Sequence, residues 1–202
     1  MDLLQEAIAF ATSAHQGQKR KKSGIPYVFH CAEVCKRVAD YGISDEGILC
    51  SAVLHDVVED CDSEWLEKLD NIFGARISRI VHECSRPERD DATKAEKYAF
   101  LESFKDKSTE SIVIKISDRF CNVMDYHRTD PAYASKYALQ AYPLYQTFIS
   151  RHLDLGEEMI PRKSVMKILG DIVELNIVIS EEYKGFSSFI CNCSGFVKDN
   201  VI

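Results

Sequence analysis

Apolar residues in this chain return every three or four positions and almost never every second one, so it can bury them as helices but has little from which to build a sheet. Leu3, Leu4, Ala7, Ile8, Ala11 and Ala14 form one stripe, and Val28, Cys31, Val34, Cys35 and Val38 form another. Ser44, followed by Asp45 and Glu46, offers an N-cap and an acidic first turn to a helix that carries Ile48 to Val53 straight into His55-Asp56. Asp62-Ser63-Glu64 opens the next helix, which holds Trp65, Leu66, Leu69, Ile72 and Phe73 and stops at Gly74 in a left-handed cap. A helix through Ile77, Ile80, Val81 and Cys84 follows, then Pro87 and the charged connection Glu88-Arg89-Asp90-Asp91.

Beyond that connection a helix is expected around Ala95 to Phe104, and Ser108 or Thr109 can cap one through Ile112, Val113, Ile116, Phe120 and Val123. Pro131 and Pro161 suit the first turns of two more, the last reaching about Tyr183. No repeat and no low-complexity linker divides the chain. The expectation is an all-α fold in a single helical bundle: a core over 1–150, a further helix of the same domain over 151–183, and an irregular tail over 184–202. The tail, with Phe186, Phe189 and Phe196, either folds back on the domain or meets a second subunit, so a homodimer is one open possibility.

With 202 residues, 46% of them hydrophobic, the chain can bury a substantial core and is not a disordered one. Its longest apolar runs, Ile48 to Val53 and Ile112 to Ile116, fall far short of the roughly 20 residues that cross a bilayer. The first residues lack the features of a secretory signal, so a cytoplasmic location is expected. A net charge of −7 gives no long-range support for nucleic acid or an anionic membrane as partner. A local basic patch, Lys19-Arg20-Lys21-Lys22, can still hold a small anion. The eight cysteines lack the paired spacing of a structural zinc site and read as reduced, mostly buried thiols.

The segment that carries chemistry is Leu54-His55-Asp56-Val57-Val58-Glu59-Asp60. An imidazole and three carboxylates at the end of an apolar helix are costly to bury unless something compensates, and a divalent cation would. On a continuous helix His55 and Glu59, and likewise Asp56 and Asp60, would share a face. His30 follows Ser23-Gly24-Ile25-Pro26-Tyr27, and Asp118 and Asn122 stand one helical turn apart in another apolar stretch.

Taken together, His30, His55-Asp56 and Asp118 match the pattern of the HD-domain superfamily of metal-dependent phosphohydrolases. Over about residues 1–150 the chain more narrowly resembles the hydrolase domain of RelA/SpoT-type proteins and the small stand-alone alarmone hydrolases. The matching blocks are Ala14-His15-Gln16-Gly17-Gln18, Ser23 to Tyr27, His30, Leu54 to Asp60 and Lys115 to Val123. The resemblance implies an HD-domain helical bundle in which His30, His55, Asp56 and Asp118 hold one divalent metal, usually manganese, while Glu59 and Asp60 activate or orient the attacking water. It implies guanosine tetra- or pentaphosphate as substrate, cut to GDP or GTP and pyrophosphate, with Asn122 at the nucleotide sugar and the basic loop with Ser23 at the nucleotide.

The loop is one residue longer than the family's usual spacing between Gln and Ser-Gly. Arg20 fits when aligned from the left and Lys21-Lys22 when aligned from the right, so the base-stacking residue stays open between them. The roughly 50 residues after the core leave no room for a synthetase domain of ordinary size, so hydrolase-only activity is expected. Arg119 reads as one half of a structural ion pair, and His15, His82, His127 and His152 as structural or surface residues. The same metal chemistry would serve an adenosine alarmone, a 3′-phosphorylated cofactor such as NADPH or a nucleoside monophosphate. A nucleotide-sensing module without turnover is the alternative from another class.

Overall fold

A computed structural model describes residues 2–21, 23–60, 65–86, 92–154 and 160–182. The expected openings at Asp62-Ser63-Glu64, at Pro87 to Asp91 and in the tail from Lys184 lie outside the described residues, as do Lys22 and the side chain of Asp60. Among the described residues all regular structure is helical, apart from one isolated antiparallel bridge between Lys19 and Pro26. The helices are α1 (Leu3–Ala14), α2 (Val28–Asp40), α3 (Glu46–Leu54), α4 (Val57–Asp60), α5 (Trp65–Phe73), α6 (Ala75–Cys84), α7 (Lys94–Glu102), α8 (Thr109–Thr129), α9 (Pro131–Gln140), α10 (Tyr142–Ile149) and α11 (Arg162–Glu182). None of these helices is long and apolar enough to cross a membrane.

The described chain forms two compact units, one from residues 1–92 and 106–117 and one from 93–105 and 118 onward. In the first, α1, α2 and α6 pack on α3, and α5 packs on α6. The stripe read from α1 buries Ala7 and Ala11 against Val53, Leu54, Val57, Leu69 and Val81. Phe10 meets Trp65 and Phe73 edge to face at 5.0 and 5.4 Å, the arrangement that ring quadrupoles favour. In the second unit α9 packs along α11 and α7 lies against α9 and α10, with Leu101, Leu144, Tyr145, Phe148, Ile168 and Ile172 buried.

The caps show where local chemistry decided. Gly74 does end α5 in the left-handed region, at φ +82°, and Pro131 opens α9. Ser108 rather than Thr109 caps α8, its hydroxyl accepting the N–H of Ser111. At α3 the cap is Asp45 and not Ser44: Asp45 has extended backbone, and its carboxylate accepts the Ile48 N–H at 3.0 Å. Partial burial opposes the charge on Asp45, but the Ile48 N–H and the Arg76 guanidinium at 3.0 Å together hold its carboxyl below the usual range.

The apolar helix does not run through His55-Asp56 as expected. It stops at Leu54, the pair occupies a turn, and α4 restarts at Val57. The His55 ring explains the break, because its Nδ1 lies 2.8 Å from the carbonyl of Ala52, the acceptor that a continuing helix would offer to the Asp56 N–H. Among the described residues Cys31, Cys35, Cys50, Cys84 and Cys121 are thiols and not disulfides. Burial pushes Cys35 and Cys50 up to about 11, which leaves them almost wholly protonated at neutral pH.

Candidate metal centre

Three places in the fold supply the centre. His30 is the third residue of α2, His55 and Asp56 fill the turn between α3 and α4, and Asp118 sits midway along α8. All four are buried, and one ligand atom from each lies within 4.8 Å of every other. That spread is close to the span of about 4 Å between two ligands on opposite sides of one ion at roughly 2.1 Å each.

The donor set fits a divalent ion on its own chemistry. His55 donates through Nδ1 to Ala52, so in the neutral ring the lone pair is on Nε2, which stands 3.0 Å from Asp56 Oδ2. His30 Nε2 lies 3.6 Å from the same oxygen. Lone pairs of imidazole and carboxylate facing each other in a buried space repel unless positive charge lies among them. A backbone carbonyl that fixes the tautomer of a ligating histidine is also the usual outer partner of such a residue. Two nitrogens and two carboxylate oxygens without sulfur form a mixed set that suits Mn²⁺, Fe²⁺ or Zn²⁺.

The pattern of a known family covers this whole arrangement: residues 7–154 match the HD domain. This chain belongs to the HD-domain family. Proteins similar to this HD domain include the guanosine-3′,5′-bis(diphosphate) 3′-pyrophosphohydrolase MESH1 of Mus musculus, 35% identical over 144 residues, which are 69% of this chain and 78% of that protein. The Homo sapiens protein of the same name is 34% identical over 144 residues, with the same coverage of 69% and 78%. The guanosine-3′,5′-bis(diphosphate) 3′-pyrophosphohydrolase of Aquifex aeolicus (strain VF5) is 32% identical over 122 residues, 59% of this chain and 17% of that larger protein. A solved structure of a metazoan orthologue of SpoT, described as hydrolysing ppGpp, superposes with a TM-score of 0.68 over 91% of this chain and 96% of its own, at 22% identity, and shares the fold.

Around the four ligands this HD domain adds contacts that a linear reading misses. The Tyr27 hydroxyl donates to Asp56 Oδ2 at 2.7 Å, although the two residues are 29 positions apart. His15, buried and bonded through Nδ1 to Gln18 Oε1 at 2.8 Å, lays its ring 5.0 Å from that of Tyr27. Desolvation pulls His15 below its ordinary value, against the Gln18 bond, so the ring is neutral at pH 7. From Tyr27 the ring contacts continue to His30 at 5.5 Å and from there to His55 at 5.4 Å. The only signal in the sequence was the Ser-Gly-x-Pro-Tyr block itself, in which Tyr27 had no assigned role.

Tyr27→Phe tests that role. Losing the hydroxyl frees Asp56 to rotate, and metal affinity is expected to fall about 10- to 100-fold with the fold retained. Titration of the purified variant with Mn²⁺ by calorimetry reads this, and an affinity equal to wild type would show that Tyr27 does not orient the ligand.

Asn122 donates from Nδ2 to Asp118 Oδ1 at 2.5 Å, one helical turn along α8, so it braces a ligand directly. Glu59 lies in α4, where its Oε2 accepts the Arg86 N–H at 3.1 Å and its Oε1 is 3.3 Å from the Arg86 guanidinium. The Lys115 ammonium approaches Glu59 Oε2 to 4.0 Å. Arg119 places its guanidinium 4.1 Å from the centre of the Tyr137 ring, a contact with an aromatic face of α9 that the sequence reading did not include.

The basic loop is a tight turn and not an open strand. Arg20 N–H donates to Ile25 at 2.9 Å, Gly24 N–H returns to Arg20 at 2.9 Å, and Tyr27 N–H bonds Gln18 at 3.0 Å. Gly24, at φ +72°, takes the left-handed conformation that lets the chain reverse. Lys21 and Ser23 are exposed and Arg20 is half-buried, so the loop offers cations to solvent.

Proposed function

We propose that this protein hydrolyses guanosine 3′,5′-bis(diphosphate) and its pentaphosphate form, releasing pyrophosphate from the 3′ position and leaving GDP or GTP. The observation that carries the reading is the buried cluster of His30, His55, Asp56 and Asp118, with donors set to accept a cation, inside a chain whose similar proteins bear that activity in their names. The metal we assign is Mn²⁺, which the resemblance to alarmone hydrolases implies and with which the mixed nitrogen and oxygen donor set is compatible. When bound, such an ion makes water a better nucleophile at neutral pH and takes up charge on a phosphoryl oxygen.

The chain's own residues do the rest. His30, His55, Asp56 and Asp118 hold the ion, with Tyr27 and Asn122 fixing the two carboxylates. Glu59 and Asp60 orient the attacking water and take its proton, so that oxygen attacks phosphorus as the bond to the 3′ oxygen breaks. Arg20, Lys21, Lys22 and Ser23 receive the nucleotide, and Asn122 contacts its sugar. Cations in that loop compensate for a net charge of −7, which would otherwise repel a polyphosphate. The thiol state of the described cysteines supports a reducing compartment, and the cytoplasm is the location assigned.

Pyrophosphate release from guanosine tetraphosphate, measured with and without added Mn²⁺, tests this. Release that stops on chelation and returns with Mn²⁺ is expected. If NADPH or an adenosine alarmone is cut under conditions that leave guanosine tetraphosphate intact, the metal site stands and the substrate assignment falls.

A further inference from the structure

Tyr27 can steady Asp56 only if its own ring is held still, and a phenol turns about its side-chain torsions unless something packs on it. The His30 ring meets that of Tyr27 at 5.5 Å with its plane turned by 65°, and the His15 ring meets it at 5.0 Å, tilted by 38°. His30 belongs to the candidate metal centre, so an ion sets its orientation in part. His15 contributes no ligand atom to that cluster, and the support it gives Tyr27 does not depend on the ion.

His15 is anchored through both its main chain and its ring. As the C-cap of α1 it keeps its N–H on the Ala11 carbonyl at 2.9 Å, while its Nδ1 donates to Gln18 Oε1 at 2.8 Å. The Gln18 N–H returns to the His15 carbonyl at 3.1 Å, and the Gln18 carbonyl accepts the Tyr27 N–H at 3.0 Å. One glutamine therefore fixes both rings, the imidazole through its side chain and the phenol through its main chain. His15 is also only 3% exposed. An imidazole buried for packing alone loses water from its polar ring atoms, and an apolar side chain would fill the space without that loss. The bond to Gln18 compensates and, in doing so, dictates the plane of the ring.

We infer that His15 is a positioning residue of the metal centre: its ring, set by Gln18, backs the ring of Tyr27 and so keeps the tyrosine hydroxyl on Asp56 Oδ2 at 2.7 Å. It acts on the centre through Tyr27. The inference rests on the metal reading above and is independent of which nucleotide the protein cuts.

The test is a double-mutant cycle on Mn²⁺ affinity, read by calorimetry with no substrate present. His15→Ala is expected to weaken Mn²⁺ binding about 3- to 10-fold, less than the loss of the hydroxyl that bonds the ligand itself. His15→Ala combined with Tyr27→Phe is expected to bind no more weakly than Tyr27→Phe alone, because the ring then has no hydroxyl left to aim. A merely structural histidine would instead add its own loss to that of Tyr27. Thermal melting establishes that each variant is folded. Should His15→Ala fail to fold, Gln18→Leu, which removes the acceptor that sets the imidazole, takes its place in the cycle. Affinity in the single variant equal to wild type, or a double variant that binds more weakly than Tyr27→Phe, overturns the inference. A wild type that binds no Mn²⁺ overturns the metal centre itself, and the inference with it.

Discussion

Asp56→Ala is expected to lower guanosine tetraphosphate turnover by at least about 10³-fold and to strip most of the metal from the purified protein. Asp56 Oδ2 is where the site converges, at 3.0 Å from His55, 3.6 Å from His30 and 2.7 Å from the Tyr27 hydroxyl. Metal content by atomic spectroscopy and turnover are read on the same sample. A variant that keeps full metal loading and activity would show that the metal lies elsewhere. Without metal, the variant is expected to be at least as stable as the equally metal-free wild type, because burying a carboxylate opposes folding.

The opposite pattern is expected two residues earlier in the chain. Leu54→Ala empties space in a core where Leu54 is fully buried among Ala7, Ala11, Val57 and Leu69, and costs about 3 kcal/mol of stability. The residue contributes no ligand atom, so metal stoichiometry at low temperature stays at that of wild type. Urea denaturation followed by circular dichroism measures the loss. A change below about 0.5 kcal/mol would mean that this core is loose enough to close over the gap, contrary to its burial. Together the two variants separate a residue kept for chemistry from one kept for packing.

Much of this was legible before any coordinates, and for a physical reason. Helical periodicity is written in neighbouring residues, so the stripes of α1 and α2 and the stop at Gly74 could be read locally. The four residues of the candidate metal centre were legible because the family pattern fixes residue types at recognisable places. What escaped depends on groups distant in sequence or on competition for one acceptor. Nothing in Leu54-His55-Asp56-Val57 announces that the imidazole will take the Ala52 carbonyl and end the helix. Tyr27 finds Asp56 across 29 residues, and Glu59 finds Arg86 across 27. Ser44 and Asp45 are both good caps, and the choice fell to Asp45, which Arg76 of α6 also holds. For Arg119, only the packing of α9 shows that its guanidinium also lies over the Tyr137 ring.

The hairpin at residues 18–27 divides its labour along its length. Its closed base, where Tyr27 bonds Gln18 and Lys19 bridges Pro26, keeps the tyrosine hydroxyl on Asp56. Beyond the bridge, from Arg20 to Gly24, lies the stretch in which the resemblance to alarmone hydrolases implies one residue more than the usual spacing. An insertion there lengthens the tip without changing the register of the base. Under the proposed reading, a change in the length of the tip would alter the surface offered to the nucleotide while leaving the tyrosine contact to the metal centre in place.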